Sequence, residues 1–243
     1  MKLFKCVTIS LWLAIAGFVL NSCMKDEGYS LDNAWYSIAT VRTSGSGSSS
    51  YWLTLDSGTS LWPVATDVPE YNYKERQRAL VVYTILSDAF NGYDHAIKIL
   101  DIQSILTKQI AEDLGEENDE TYGTDPVEIN EMWIGDGFLN IKFEFNYGGD
   151  AVHFINLMKN ASVRTPNYFE FRHNAYNDSE RYRRTGIVAF DLSSIDTQGE
   201  EIELKISVNT FNGTKEYTVK YNSSKRMLLK NPDISIDNYV EIK

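Results

Sequence analysis

The second half of the chain alternates apolar and polar residues with a period of two. Leu139, Ile141, Phe143, Phe145 and Tyr147 fall on one side, opposed by Asn140, Lys142, Glu144 and Asn146. Ile202, Leu204, Ile206 and Val208 repeat the pattern against Glu201, Glu203, Lys205 and Ser207, and Tyr217, Val219 and Tyr221 line a third segment. This period predicts half-buried antiparallel strands. Asn212-Gly213 predicts a type I′ hairpin between the last two, because both central residues must tolerate positive φ. Gly135-Asp136-Gly137 joins Met132-Trp133-Ile134 to Phe138 in a similar way. Further strands are predicted at 151–158, 168–173 and 186–192. About seven antiparallel strands over about 110 residues predict a β-sandwich.

The first half carries strand signals broken by loops. Residues 35–43 are rich in β-branched and aromatic side chains and end at a Gly/Ser run over 44–50. Strands follow at 51–55, at 59–62 before Pro63, at 78–86, and at 93–102 after the Asn91-Gly92 break. Five β segments within about 75 residues predict a small barrel with OB-like topology. Residues 104–111 read as one short helix. The stretch from Glu112 to Glu120 is the most acidic of the chain, and 112–126 reads as a linker that cannot bury itself. The predicted fold class is therefore all-β: an OB-like barrel domain over 34–111, the acidic linker, and an antiparallel sandwich domain over 127–243.

The N-terminus departs from both patterns. Lys2 and Lys5 precede an apolar run, 11–20, too short for a comfortable membrane span. Leu20-Asn21-Ser22-Cys23 then resembles a bacterial lipobox, with 1–22 as signal peptide, Cys23 as the lipidated first residue of the mature chain, and 23–33 as a tether. Cleavage removes two lysines and no acid, taking the formal net charge from −11 to −13. The other cysteine, Cys6, leaves with the signal, so no thiol remains for a disulfide or a thiolate site. The alternative is an ordinary secretory signal with Cys23 as a spare thiol. Several acyl chains, each contributing about 0.8 kcal/mol per buried methylene, make anchoring effectively permanent. Lys25, Asp26 and Glu27 resemble the lysine-plus-acids signal that routes some lipoproteins to the cell surface. The expected location is the outer membrane, with the surface favoured over the periplasm.

Charge and spacing narrow the chemistry. A strongly acidic protein repels nucleic acid. His95, His153 and His173 lie far apart, and none has a cysteine or carboxylate at ligand spacing, so no metal and no cofactor is expected. Nucleophile and phosphate-loop motifs are absent. A glycosidase carboxylate pair and opportunistic calcium on Glu116 to Asp125 are weaker alternatives to a solvated acidic segment. The chain reads as no enzyme. Two surfaces remain. Trp52 and Trp62 sit on the second and third barrel strands, the face with which OB folds bind oligomers. Arg181, Tyr182, Arg183 and Arg184 form a basic and aromatic cluster in a loop before Gly186, suited to a protein interface, with Asp178 and Glu180 as possible neutralisers. Arg42, Lys74, Arg76 and Arg78 form a small basic patch or a set of strand-edge charges.

The order of parts, together with the texture of 35–55, 83–102 and 138–145, resembles the NigD-like lipoproteins of gut Gram-negative bacteria. That resemblance implies an N-terminal OB-like domain, a C-terminal β-sandwich and a role in immunity to a bacteriocin. It transfers no catalytic or metal-binding residue; only Cys23 carries over, for lipid attachment. The expected function is a membrane-anchored, non-catalytic binding protein of the cell envelope. The alternative is a surface glycan-binding accessory lipoprotein using Trp52 and Trp62. Surface exposure predicts that protease treatment of intact cells removes the protein; survival of the chain under that treatment overturns it.

Overall fold

The computed structural model describes residues 33–44, 50–160 and 167–224. Cys23, Lys25, Asp26 and Glu27 lie outside them. The first five strands are β1 (Trp35–Thr43), β2 (Tyr51–Leu55), β3 (Ser60–Thr66), β4 (Arg78–Phe90) and β5 (Tyr93–Ser104). They close into a barrel in the order β1-β2-β3-β5-β4, with β3 and β5 parallel. This is the OB arrangement. Bulges in β4 and β5 let the sheet bend back on itself. Ala39, Val41, Leu53, Leu61, Val81, Ile97 and Ile99 fill the interior. The β4–β5 turn is Asn91-Gly92, both left-handed at φ 50° and 87°, as a type I′ hairpin requires.

The sandwich contains β6 (Leu106–Gln109), β7 (Glu128–Gly135), β8 (Phe138–Tyr147), β9 (Phe154–Lys159), β10 (Tyr168–Asn174), β11 (Tyr182–Asp191), β12 (Ile202–Thr210) and β13 (Gly213–Tyr221). One sheet runs β13-β12-β10-β9 and the other β6-β11-β8-β7. Their inner faces meet in a core of Leu139, Ile141, Phe143, Phe145, Phe171, Phe190 and Ile206. All-β architecture, barrel first and sandwich second, is thus as expected. Two pairs, β10 with β12 and β11 with β6, are parallel rather than antiparallel.

Other expectations are corrected. Residues 104–111 hold no helix. They carry β6, which follows β5 after the single residue Ile105 and joins the sandwich sheet beside β11. Leu106 and Ile110 pack against the sandwich core, a burial that a separate helix could not match. The acidic stretch is largely exposed, as expected, but it is not a featureless linker between the domains, since β6 of the sandwich precedes it. It forms a 3-10 turn, Gly115–Glu117, and a short helix α1, Asn118–Tyr122. Tyr122 and Asn118 are buried, the Tyr122 hydroxyl donates to the Glu112 carbonyl at 3.0 Å, and Asp119 pairs with Arg172 of β10 at 2.7 Å. At the β12–β13 turn only Gly213 is left-handed, and pairing resumes at Thr210 opposite Gly213. That hairpin is a bulged one built on Phe211 and Asn212, not type I′. Asp136-Gly137, left-handed at both residues, makes the type I′ turn between β7 and β8.

The barrel wall made by β1 and β4 lies on the outer face of sheet β6-β11-β8-β7. Ile38, Leu80 and Ile105 from the barrel side meet Phe138, Ile187, Ala189 and Trp133 from the sandwich. Arg78 enters this apolar layer fully buried. Its Nη2 lies 2.7 Å from Asp56 Oδ1, its Nη1 donates to Thr40 Oγ1 at 2.9 Å, and its Nε donates to Asn140 Oδ1 at 3.2 Å. Trp133 Nε1 donates to the other Asp56 oxygen at 3.0 Å. The guanidinium groups of Arg76 and Arg78 both face the Phe138 ring, at 4.9 and 5.4 Å. A Cβ on Gly135 would overlap the Asp56 carboxylate, so glycine is needed for this approach. Breaking such a pair leaves a buried charge alone, so Arg78→Met is expected to destabilise the protein by about 3–5 kcal/mol. Adding Asp56→Leu is expected to recover most of that loss; denaturant midpoints of the single and double variants measure both.

Candidate functional site at the barrel wall and the domain joint

Interior positions of β2 and β3 are taken by Leu53 and Leu61, which are Cα partners. Strand alternation therefore turns Trp52 and Trp62 outward. Both are half-buried, and Tyr93, at the start of β5, lies beside them. Its ring centroid is 4.8 Å from Trp62 and 5.9 Å from Trp52, with interplanar angles of 35° and 57°. The three rings form a tilted ladder rather than the coplanar platform on which a sugar ring lies flat.

Across the β1–β2 pairing, Arg42 is the Cα partner of Trp52. Its Nη2 lies 2.5 Å from Asp136 Oδ2 in the β7–β8 turn of the other domain. Beyond it opens a polar cleft of about 450 Å3, lined by Arg42, Arg76, Asp136, Ser193, Tyr221 and Asn222 among others. Arg76 holds Asp191 with two bonds, Nε to Oδ2 at 3.0 Å and Nη2 to Oδ1 at 2.8 Å. Burial works against the Asp191 charge, but the Arg76 and Ser193 hydrogen bonds hold its carboxyl below the ordinary value. Three of the four residues of the expected basic patch therefore meet at the joint, but as neutralised ion pairs rather than as a free basic surface. Arg42, Arg76 and Arg78 are each committed to an acid at the joint. The cleft offers hydroxyls, an amide and two oriented ion pairs to a polar ligand, while the rings offer flat apolar faces.

The arginine cluster is elsewhere, on the sandwich. Tyr182, Arg183 and Arg184 belong to β11 rather than to a preceding loop. Arg181 Nη2 reaches Asp150 Oδ2 at 2.7 Å. Arg183 lies over the Phe211 ring at 3.7 Å, and Arg184 over Tyr182 at 5.2 Å. Tyr182 is 57% exposed. Asp178 does not neutralise this cluster, because it is turned inward, and Glu180 accepts a hydrogen bond from Asn146.

Sequence spacing missed a second buried polar group. His153 Nδ1 lies 2.8 Å from His173 Nε2, and His153 Nε2 lies 2.9 Å from Asp178 Oδ2. Asp178 also accepts from the amides of Gly148, Gly149, Asp150 and Ser179. Burial opposes its charge, yet these bonds hold the carboxyl well below the usual range. With Asp178 ionised, His153 Nε2 carries a proton toward it. The signal was in the alternation: His173 continues the inward phase of Phe169 and Phe171, and His153 that of Ile155 and Leu157. The third histidine stands apart, with His95 Nδ1 2.8 Å from Asp88.

Family models for the NigD-like N-terminal OB domain and the NigD-like C-terminal β-sandwich domain match residues 38–105 and 109–221. Among solved structures, a protein of Parabacteroides distasonis described as toxin-related is 48% identical, with a TM-score of 0.73, covering 79% of this chain and 95% of that one. A protein of unknown function from Bacteroides vulgatus is 25% identical at TM-score 0.67, over 82% and 97%. A NigD-like immunity protein of Bacteroides caccae shares the fold at 20% identity and TM-score 0.59, over 81% and 100%. No curated protein matches the chain.

Burial, then the neighbouring His153, pushes the His173 imidazole down from 6.5 to about 4. Below pH 6.5 the unfolded chain takes up a proton that the folded chain refuses. Stability is therefore whole above pH 6.5 and falls as the pH drops toward 4, by about 3 kcal/mol at most. His173→Gln is expected to flatten this dependence; denaturant midpoints between pH 4 and pH 7 measure it.

Proposed function

The chain belongs to the NigD-like family, and from that premise we propose that it is a lipid-anchored protein of the bacterial cell envelope that works by binding, without catalysis. The role is immunity-like: interception of a protein toxin before it reaches its target. The observation that carries this reading is the joint. Arg78, Asp56, Trp133 and Asn140 lock barrel and sandwich together, so surfaces on both domains keep a fixed relation. A preorganised surface loses little freedom on binding, which favours recognition. The toxin-related description of the 48% identical relative and the immunity name of the Bacteroides caccae protein agree with it. Cys23, with the lysine-plus-acids segment Lys25, Asp26 and Glu27 behind it, supplies the anchor and points to the outer membrane, surface side.

A second reading, a glycan-binding accessory lipoprotein, draws on the Trp52–Tyr93–Trp62 ladder and the polar cleft beside Arg42. OB barrels bind oligosaccharides on this wall, but the tilt of the rings favours an irregular side-chain surface over a flat sugar.

Affinity capture separates the two. The soluble two-domain chain starting at Asp26 is passed through envelope and secreted fractions, and bound material is split between proteomics and glycan analysis. One dominant protein is the expected result, accompanied by loss of toxin resistance in a strain lacking the gene. Bound polysaccharide, with resistance unchanged and growth on carbohydrate impaired, overturns the toxin reading in favour of the glycan one.

A further inference from the structure

β11 is paired along its whole length with β8, from Tyr182 opposite Tyr147 to Asp191 opposite Phe138. On its other side β6 pairs only with Val188 to Asp191. The reason is topological. The chain arrives at Leu106 directly from the barrel through Ile105, so it reaches the sheet halfway along β11. Among the described residues no strand covers Tyr182 to Ile187 on that side. Gly186 and Ile187 are buried, Ile187 in the layer that holds Ile105, but from Tyr182 to Thr185 the residues are exposed or half-buried and the backbone is an open edge, and open edges accept strands. The Arg183 carbonyl meets a side chain instead, Arg184 Nη1 at 3.5 Å.

The side chains of this edge carry one sign. Arg183 and Arg184 have no carboxylate partner among the described residues; they rest against the Phe211 and Tyr182 rings, and Arg184 donates to the Arg183 carbonyl. They stand out on a chain whose formal net charge is −11. Two arginines at the edge repel a second copy of the same edge, which disfavours self-pairing, and they attract a strand of opposite charge. Exposed Tyr182 and the Phe211 face add rigid aromatic area next to the charges.

We infer that the β11 edge from Tyr182 to Thr185 is a docking site for an extended acidic segment of a partner protein, which adds there as a strand. The inference rests on the binding-protein reading and names its mode of contact. Main-chain hydrogen bonds supply the affinity, and the two arginines, which project from opposite faces of β11, select acidic side chains at adjacent positions, one on each face.

The test uses the mature chain and a capped peptide of about eight residues in which pairs of valines alternate with pairs of glutamates, so that both faces carry acids, long enough to span the edge. Three comparisons are made: the lysine counterpart, a form N-methylated at alternate backbone amides, and the original peptide against the R183E/R184E variant. Binding is read by titration calorimetry, and the outward-facing amides of Tyr182 to Thr185, those that do not bond to β8, by hydrogen exchange. The expected result is binding of the glutamate peptide with slowed exchange at those amides, and a loss of about tenfold or more with each comparison. Equal binding of the N-methylated peptide overturns strand addition. Equal binding of the lysine peptide overturns the charge selection. Outward-facing amides already protected in the free protein mean that another segment of the chain occupies the edge, which also overturns the proposal. Capture of the same envelope protein by wild type and R183E/R184E, without peptide binding, sinks this docking mode and leaves the binding-protein reading standing; capture by neither in the absence of peptide binding sinks both.

Discussion

One buried ion pair organises this molecule. Arg78 and Asp56 are withdrawn from water into a layer of Ile38, Leu80, Ile105, Phe138 and Ile187. Neither charge tolerates that environment alone. Apolar layers slide over one another with little penalty, whereas a guanidinium that must meet Asp56, Thr40 and Asn140 together accepts one relative placement of the two domains. The pair is a weak source of net stability and a strong source of orientation, because every misaligned docking strands a charge. Arg42–Asp136 and Arg76–Asp191 then repeat the contact at the rim, where water partly screens them.

This joint explains why sandwich residues in polar register are dry. Asn140 reads as a solvent-facing member of β8, opposite Leu139 and Ile141. In the fold its face is covered by the barrel, and it is wholly buried. Alternation distinguishes the two faces of a sheet but does not say whether the second face meets water or another domain. The barrel, the sandwich and most strands were legible because each is a local matter of period and turn chemistry. What escaped depended on contacts distant in sequence. Leu106 to Gln109 was misread because a short apolar run fits helix and strand alike, and its partner β11 lies about eighty residues away. The acidic stretch was misread because its buried members, Asn118 and Tyr122, are few among many exposed acids.

The candidate surfaces were legible to different degrees. Outward placement of Trp52 and Trp62 follows once Leu53 and Leu61 are assigned to the interior. Tyr93, which sits between them, belongs to a strand distant in sequence, and only the parallel β3–β5 pairing brings it there. The basic cluster before Gly186 was visible as a cluster but not as a strand. Arginine and tyrosine suit loops and edges equally, and the difference lies in the length of β8 available for pairing. Arg78 carried no signal at all: a charged residue at the start of an apolar run reads as a boundary, and burial is revealed only by its partners.

The direct passage from β5 to β6 has a consequence for modularity. The two domains look like separable units, and the acidic stretch between 112 and 126 looks like the seam. The seam is elsewhere, at Ile105, and no slack chain exists there. A cut or a graft made in the acidic stretch would send β6 away with the barrel and strip the sandwich of an edge strand. Recombination between relatives can exchange whole domains only at a junction next to Ile105, and a new barrel must also bring an Asp56 and an Arg78 that fit the old Trp133, Asn140 and Gly135. The halves are therefore exchangeable only as a matched set, a constraint from which the loops and the exposed walls are free.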